Sequence, residues 1–261
     1  RITVTDTANN VTASTPLQIV HDGIDVGQAI IIAGGGQSDH LWPDTRNLSQ
    51  YAYDVLQSRG LSDDQIYFLS QPGDRDLDND GIDEIDANAT LNDTDGVEYA
   101  LTTWTQEAQS DSPLFVYLVD HGGAGSMWLN DSNGSGLADS AEEILTVDML
   151  RAHLDTLPDT RPITVFYEAC KAGSFVAPLA GPNRVILTSA GNENATIAVD
   201  GNISLSQYFF SAIASGRSVG ESLSLASAAM TVISPQVPRL DDDGDGAANG
   251  QADGLLADAT Y

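Results

Sequence analysis

Basic residues are scarce in this chain. Ten Lys and Arg stand against 38 Asp and Glu, a formal charge of −28 over 261 residues. No basic stripe exists to neutralise phosphates, which argues against nucleic acid as a partner, and an anionic membrane surface would repel the chain. Cysteine is nearly absent. The single thiol, Cys170, rules out an internal disulfide. No apolar run approaches the roughly 20 residues that cross a bilayer, so no membrane insertion is expected. The chain begins at Arg1 with no leader-type segment, and it reads as a piece of something longer.

What is present suffices for a core. Hydrophobic residues make up 41% of the chain, near the globular norm, and the length suits one α/β domain. Residues 1–22 read as β-rich, either a lead-in or the end of a preceding Ig-like module. From residue 23 to 235, apolar strands alternate with helical patterns. Strands are expected at 29–33, 66–69, 114–121, 163–170 and 184–188. Helices are expected at 45–59, 95–109 with Asp95 as N-cap, 146–157, 206–215 and 219–233. Such alternation predicts a mainly parallel sheet covered on both faces. Residues 236–261 form an acidic Asp/Gly-rich C-terminal segment.

Chemistry concentrates at two strand ends. The run Ile163-Thr-Val-Phe-Tyr-Glu-Ala-Cys170 carries the thiol at its carboxyl end, before a small-residue turn. About fifty residues upstream, Leu114-Phe-Val-Tyr-Leu-Val-Asp-His121 ends in Gly122-Gly123. Open parallel sheets place their sites along that edge. A thiol needs a nearby base or positive charge to act at neutral pH, and histidine is the usual supplier. A free cysteine or a strand-end histidine taken singly is more often structural; together they point to a Cys170/His121 dyad. The amides of Gly122 and Cys170 are the natural oxyanion donors. Gly34-Gly-Gly36 fits neither a dinucleotide fingerprint nor a P-loop and is expected to be a tight turn. His21, His40, His121 and His153 lack paired zinc spacing.

The strings His121-Gly122 and Glu168-Ala169-Cys170, followed by Gly173-Ser174-Phe175, resemble the caspase-like cysteine peptidases and, among them, most closely the legumain family. The resemblance covers roughly residues 29 to 233. It implies a three-layer caspase-like α/β sandwich and an endopeptidase acting on peptides or proteins through a thioester. It also implies that Gly122 supplies an oxyanion amide and that Glu168 walls the pocket for the residue before the scissile bond. A buried carboxylate needs a partner, and Arg46 is the candidate. In Asp44-Thr-Arg46, Asp44 stands where the legumain family carries the asparagine that orients the histidine, a departure from the pattern. Ser189 resembles a residue bordering the same pocket. Arg46 favours Asn or Asp before the scissile bond, Glu168 alone would favour Arg or Lys, and the resemblance tips the expectation to Asn.

Sixteen of the 38 acidic residues fall in three short stretches, 74–86, 131–143 and 241–253. A calcium loop of EF-hand type supplies oxygens at positions 1, 3, 5, 7, 9 and 12 around a glycine at 6. Asp131, Asn133, Ser135, Leu137, Asp139 and Glu142 fill every slot. Asp76, Asp78, Asp80, Ile82 and Glu84 fit through position 9, with Asp83 or Asp86 left to complete the set. Asp241, Asp243, Asp245, Ala247 and Asn249 fit likewise, with Asp253 one step late. One to three structural Ca2+ ions are therefore expected, with no organic cofactor. The reading is a secreted or surface-attached cysteine endopeptidase, with transpeptidation open to the same site. Its rivals are a calcium-bound adhesion or scaffold module without turnover, and a hydrolase of non-peptide esters or amides.

Overall fold

A computed structural model describes residues 26–36, 38–71, 76, 81, 83–130, 134–135, 138 and 140–261, with the backbone of two short strands further upstream. These two, β1 (Thr3–Thr5) and β2 (Val11–Ala13), pair antiparallel in a sheet of their own. The main sheet has seven strands: β3 (Gln28–Ala33), β4 (Ile66–Ser70), β5 (Ala87–Asn88), β6 (Leu114–Val119), β10 (Ile163–Glu168), β11 (Arg184–Thr188) and β12 (Arg239–Asp241). Their order is β12-β11-β10-β6-β3-β4-β5, parallel throughout except for β12. A small antiparallel sheet, β7 (Gly122–Gly123), β8 (Ser126–Trp128) and β9 (Ile144–Thr146), rises beyond the end of β6.

The period of two along each strand divides the core. Ile30 and Ile32 of β3, with Val116, Leu118 and Val165, face a layer built from α2 (Val97–Thr102), α3 (Val147–Leu154) and α4 (Val176–Leu179). Ala29, Ile31 and Ala33, with Tyr117, Val119 and Phe166, face α1 (Trp42–Ser58), α5 (Leu205–Ala214), α6 (Val219–Thr231) and α7 (Leu255–Ala259). The predicted three-layer sandwich is what forms. Phe166, Phe209 and Phe210 knit the second face, with Phe166 and Phe209 centroids 4.7 Å apart and Phe209 and Phe210 edge-on at 5.3 Å.

Two expectations are corrected. The helix expected over 95–109 is broken: α2 ends at Thr102, and a separate 3-10 turn covers Trp104–Glu107. Its start is served by Asn92, whose Oδ1 accepts the amides of Thr94, Asp95 and Gly96 at 2.9, 2.9 and 3.0 Å, so Asp95 is not the cap. The acidic segment 236–261 packs into the sandwich. It supplies the antiparallel edge strand β12, and Ala257 of α7 is fully buried in the second core face.

Candidate active site

Three adjacent strands deliver the site. From β3 the chain moves one way to β4, then returns to the other side of β3 as β6 and continues to β10. A crevice opens outside the carboxyl ends of an α/β sheet where the order reverses in this way. Val119 pairs with Glu168, so His121 and Cys170, each two residues further on, stand level with one another. Contact across the gap is tight: a Cβ on Gly122 would overlap the Cys170 carbonyl oxygen and lie 2.7 Å from both the Ala169 Cβ and the Tyr167 hydroxyl. Only glycine fits there. Cys170 itself is half-buried and free.

The turns beyond these strand ends are tied together. Lys171 adopts a left-handed conformation, φ 58° and ψ 21°, turning the chain sharply straight after the thiol. Ser174 Oγ donates to the Lys171 carbonyl at 2.7 Å and accepts the Gly125 amide at 2.8 Å. One hydroxyl thereby joins the turn after Cys170 to the hairpin after His121. On the other flank, the Lys171 amide donates to the Glu193 carbonyl at 2.9 Å and the Gly173 amide to Gly191 at 3.1 Å.

The carboxylate that meets His121 is Asp39, not Asp44. Asp39 Oδ1 lies 3.2 Å from His121 Nε2 and 3.3 Å from Nδ1 of the exposed His40, and it accepts the Leu41 amide at 2.9 Å. Asp44, in the first turn of α1, instead accepts the Gly201 amide at 2.7 Å. The reason is positional: Asp39 sits in the turn just past β3, beside the end of β6, whereas Asp44 is already carried away on the helix. Burial pushes the Asp39 carboxyl up, but the hydrogen bond from His121, the Leu41 amide and the two imidazoles outweigh it and hold it below the usual range. In return, the Asp39 hydrogen bond raises His121 against its burial, helped by the charges of Asp120 and Asp39. The Trp128 ring lies 4.9 Å from the imidazole and the His40 ring 5.2 Å.

Asp120 sits directly behind, fully buried, with neither carboxylate oxygen hydrogen-bonded. Burial drives its carboxyl well above the usual range; the Asp39 charge adds to this and His121 opposes it. Gly34 and Gly35 make the room: a Cβ on Gly34 would overlap the Trp128 carbonyl oxygen and lie 2.6 Å from Asp120 Oδ2, and Gly35 has φ +79°. The glycine run is thus a close-packing device behind the acid pair rather than only a tight turn.

Of three residues expected in the pocket, Glu168 and Ser189 are bound into the fold instead. Glu168 is fully buried, its oxygens accepting the Leu205 amide at 2.9 Å and the Ser206 amide at 2.6 Å, so it closes the start of α5 instead of pairing with Arg46. Burial raises its carboxyl to about 7, although those amides and the Ser206 hydroxyl hold it down. Arg46 is half-buried on α1 and enters no ion pair among the described residues. Ser189 is fully buried; its Oγ accepts the Ala169 amide at 3.2 Å, supporting the strand that carries the thiol.

Of the acidic loops, Asp131, Asn133, Leu137 and Asp139 of the second and Asp78, Asp80 and Ile82 of the first lie outside the described residues, while Ser135 and Glu142 are exposed. In the first, Asp76 Oδ2 accepts the Gly81 amide at 2.9 Å, and Asp86 is turned onto β4, accepting the Phe68 amide at 2.8 Å. In the third, Asp241, Asp243 and Asp253 bring carboxylate oxygens within 4.8 Å of one another. Asn249 does not join them: its Oδ1 accepts the Leu240 amide and its Nδ2 donates to the Pro238 carbonyl.

The model of the Peptidase C13 family matches residues 88–209, the stretch that holds both His121 and Cys170. The fold is similar to the crystal structure of caspase-1 from Spodoptera frugiperda, at a TM-score of 0.54 and 14% identity, over 83% of this chain and 86% of that one. Over residues 88–209 the chain is similar to the legumain-type cysteine peptidases, and in fold it is similar to a caspase. No curated protein matches its sequence. The resemblance read from two short motifs thus extends, at the level of fold, to most of the sandwich.

Proposed function

We propose that the chain is an endopeptidase in which Cys170 is the nucleophile and His121 its base and acid. The observation that carries this reading is the level placement of His121 and Cys170 at neighbouring strand ends, with Gly122 against the Cys170 carbonyl and Asp39 on the imidazole. With Nε2 engaged by Asp39, Nδ1 is the ring nitrogen open to the thiol. The thiol passes its proton to His121, and its sulfur adds to the peptide carbonyl carbon. The Gly122 and Cys170 amides receive the oxyanion. Collapse breaks the C–N bond, His121 returns the proton to the leaving amine, and a thioester remains. Water, deprotonated by His121, releases the acid and restores the thiol. A second amine in place of water would give transpeptidation.

Asp39 acts as the positioning group, fixing one imidazole face and favouring the charged form. For the residue before the scissile bond we propose Asn or Asp. Glu168, the feature that favoured a basic residue, is spent on α5, and Arg46 remains as the cationic candidate. The acidity and the calcium-type loops support a secreted or surface-attached setting. The test is a fluorogenic peptide library scanning that residue, with wild type and Cys170→Ala side by side. Turnover lost in the variant supports the dyad and identifies the pocket. Wild-type silence, also after limited proteolysis, would instead favour a non-catalytic binding module.

A further inference from the structure

We propose that the loop 241–253 is a calcium site that pins the C-terminal edge strand against the turn following Cys170. Asp241 carries the argument. It is fully buried at the end of β12; its Oδ1 accepts the Gly244 amide at 3.2 Å, while its buried Oδ2 accepts no hydrogen bond. An unpartnered buried carboxylate oxygen is costly unless a cation satisfies it. The Asp243 and Asp253 oxygens lie within 4.8 Å of the Asp241 ligand atom, and the segment 241–253 contains no Lys or Arg. A hard divalent cation with a preference for several oxygens matches such a donor set, and the flexible coordination of Ca2+ suits it better than the strict octahedron of Mg2+.

The spacing assigns the remaining ligands. Asp241, Asp243 and Asp245 occupy positions 1, 3 and 5, Gly246 the turn at 6 with φ +77°, and the Ala247 carbonyl position 7. Asp253 closes the set from one residue beyond the usual end of the loop. Ala177 of α4 and the Gly181 carbonyl pack against Gly246 and Gly244, where a Cβ would approach them to 3.3 and 3.0 Å. The loop is therefore seated on the body of the domain.

Its position gives the ion a structural task. Asp241 pairs with Ile186 and Arg239 with Thr188 across β11. The Arg239 guanidinium lies beside Gly191 and Glu193. Glu193 Oε1 accepts the amides of Gly191 and Val237, at 2.9 and 2.6 Å, while its carbonyl accepts the Lys171 amide. On the other side, Asp242 accepts the amides of Gly254 and Ala257 at 2.8 Å each and so fastens α7. A cation at Asp241 thus holds both the last helix and the wall next to residue 171. The site itself is independent of the proposed chemistry; only its bearing on the cleft rests on that reading.

The experiment is calcium titration of the whole chain after chelation, followed by calorimetry and native mass spectrometry. Asp243→Ala, an exposed change that removes the position-3 oxygen and leaves the buried Asp241 in place, is compared with Asp241→Asn. Wild type should bind one more Ca2+ than either variant, and Ca2+ should raise its Tm by several degrees more than equimolar Mg2+. Hydrogen exchange should show amides at 171–173 and 239–241 slowed by Ca2+ in wild type and unchanged in Asp243→Ala. Equal stoichiometry in wild type and Asp243→Ala would overturn the proposal, as would a Tm indifferent to Ca2+. Neither readout requires turnover, so loss of the peptidase reading would leave the result intact.

Discussion

At the scale of single residues, the fold pushes the carboxylates of Asp39 and Glu168 in opposite directions. Asp39 is held ionised by His121 and the Leu41 amide against the cost of burial. That pairing has a kinetic consequence. Since the Asp39 hydrogen bond raises His121, Asp39→Asn should bring the imidazole back down and move the acid limb of the kcat/KM–pH profile, where the base becomes protonated, to lower pH. The rate at the optimum should fall by roughly 10²-fold, the lower end of what a positioned proton donor contributes. A loss of rate with an unmoved limb would mean that Asp39 only packs. Glu168 is the opposite case. Its ordinary value of 4.5 rises to about 7 in the fold, so between those values the native state binds more protons than the unfolded one, and stability falls as pH rises. The shift corresponds to about 3 kcal/mol at the usual 1.36 kcal/mol per pH unit. In Glu168→Gln that part of the decline should vanish, leaving a shallower stability–pH slope between pH 4.5 and 7. Urea melts across that window check it, by slope rather than by absolute stability, because the glutamine amide also meets the α5 amides.

At the scale of elements, the sequence made the carriers of the site legible and some of its contents illegible. Strands of five or six apolar residues with thiol and imidazole at their ends can be read directly, because burial on both faces leaves continuous hydrophobic runs. Long helices with one apolar face were equally readable. Asp39 was not. It lies 82 residues from its partner, in a Gly- and Ser-rich turn with no periodicity, and only the strand order brings it beside β6. Glu168 misled for a related reason: alternation gives the sheet face on which a side chain lies, but not that a helix starts there. Edge strand β12 was hidden by its brevity and its aspartates.

Arg161 was hidden too, between Pro158 and Pro162 in what looks like a solvated loop. It is 2% exposed, and its Nε, Nη1 and Nη2 donate to the Ser112 carbonyl, the Thr105 carbonyl and Gln28 Oε1 at 2.7, 2.9 and 2.8 Å. One guanidinium therefore clamps the starts of β3, β6 and β10, at the edge of the sheet away from Cys170. Arg161→Met keeps the volume and removes all three donors. It should cost roughly 3 kcal/mol or more, at the usual worth of hydrogen bonds to charged groups. Arg161→Lys should cost less. Denaturant midpoints measure the loss, and kcat/KM at low temperature should stay near wild type, because the clamp and the thiol stand at opposite ends of β10.

On the scale of the whole molecule, a charge of −28 has little to offset it. Among the described residues five ion pairs form, two of them through histidines and two between exposed partners three or four residues apart. Such pairs contribute little, so self-repulsion opposes the compact state. Screening should relieve it. The Debye length shortens from about 30 Å at 0.01 M to about 3 Å at 1 M salt, so Tm should climb by several degrees over that range. The rise should be as large with KCl as with NaCl. It should persist in chelator and in Asp243→Ala, since it arises from the mean field rather than from an ion seated at Asp241. Calcium should act differently, saturating at low concentration in wild type and adding to the salt effect. A Tm that stays flat or falls with added salt in chelator would show that the acidic surface is balanced by local hydrogen bonds, with no net repulsion left to screen.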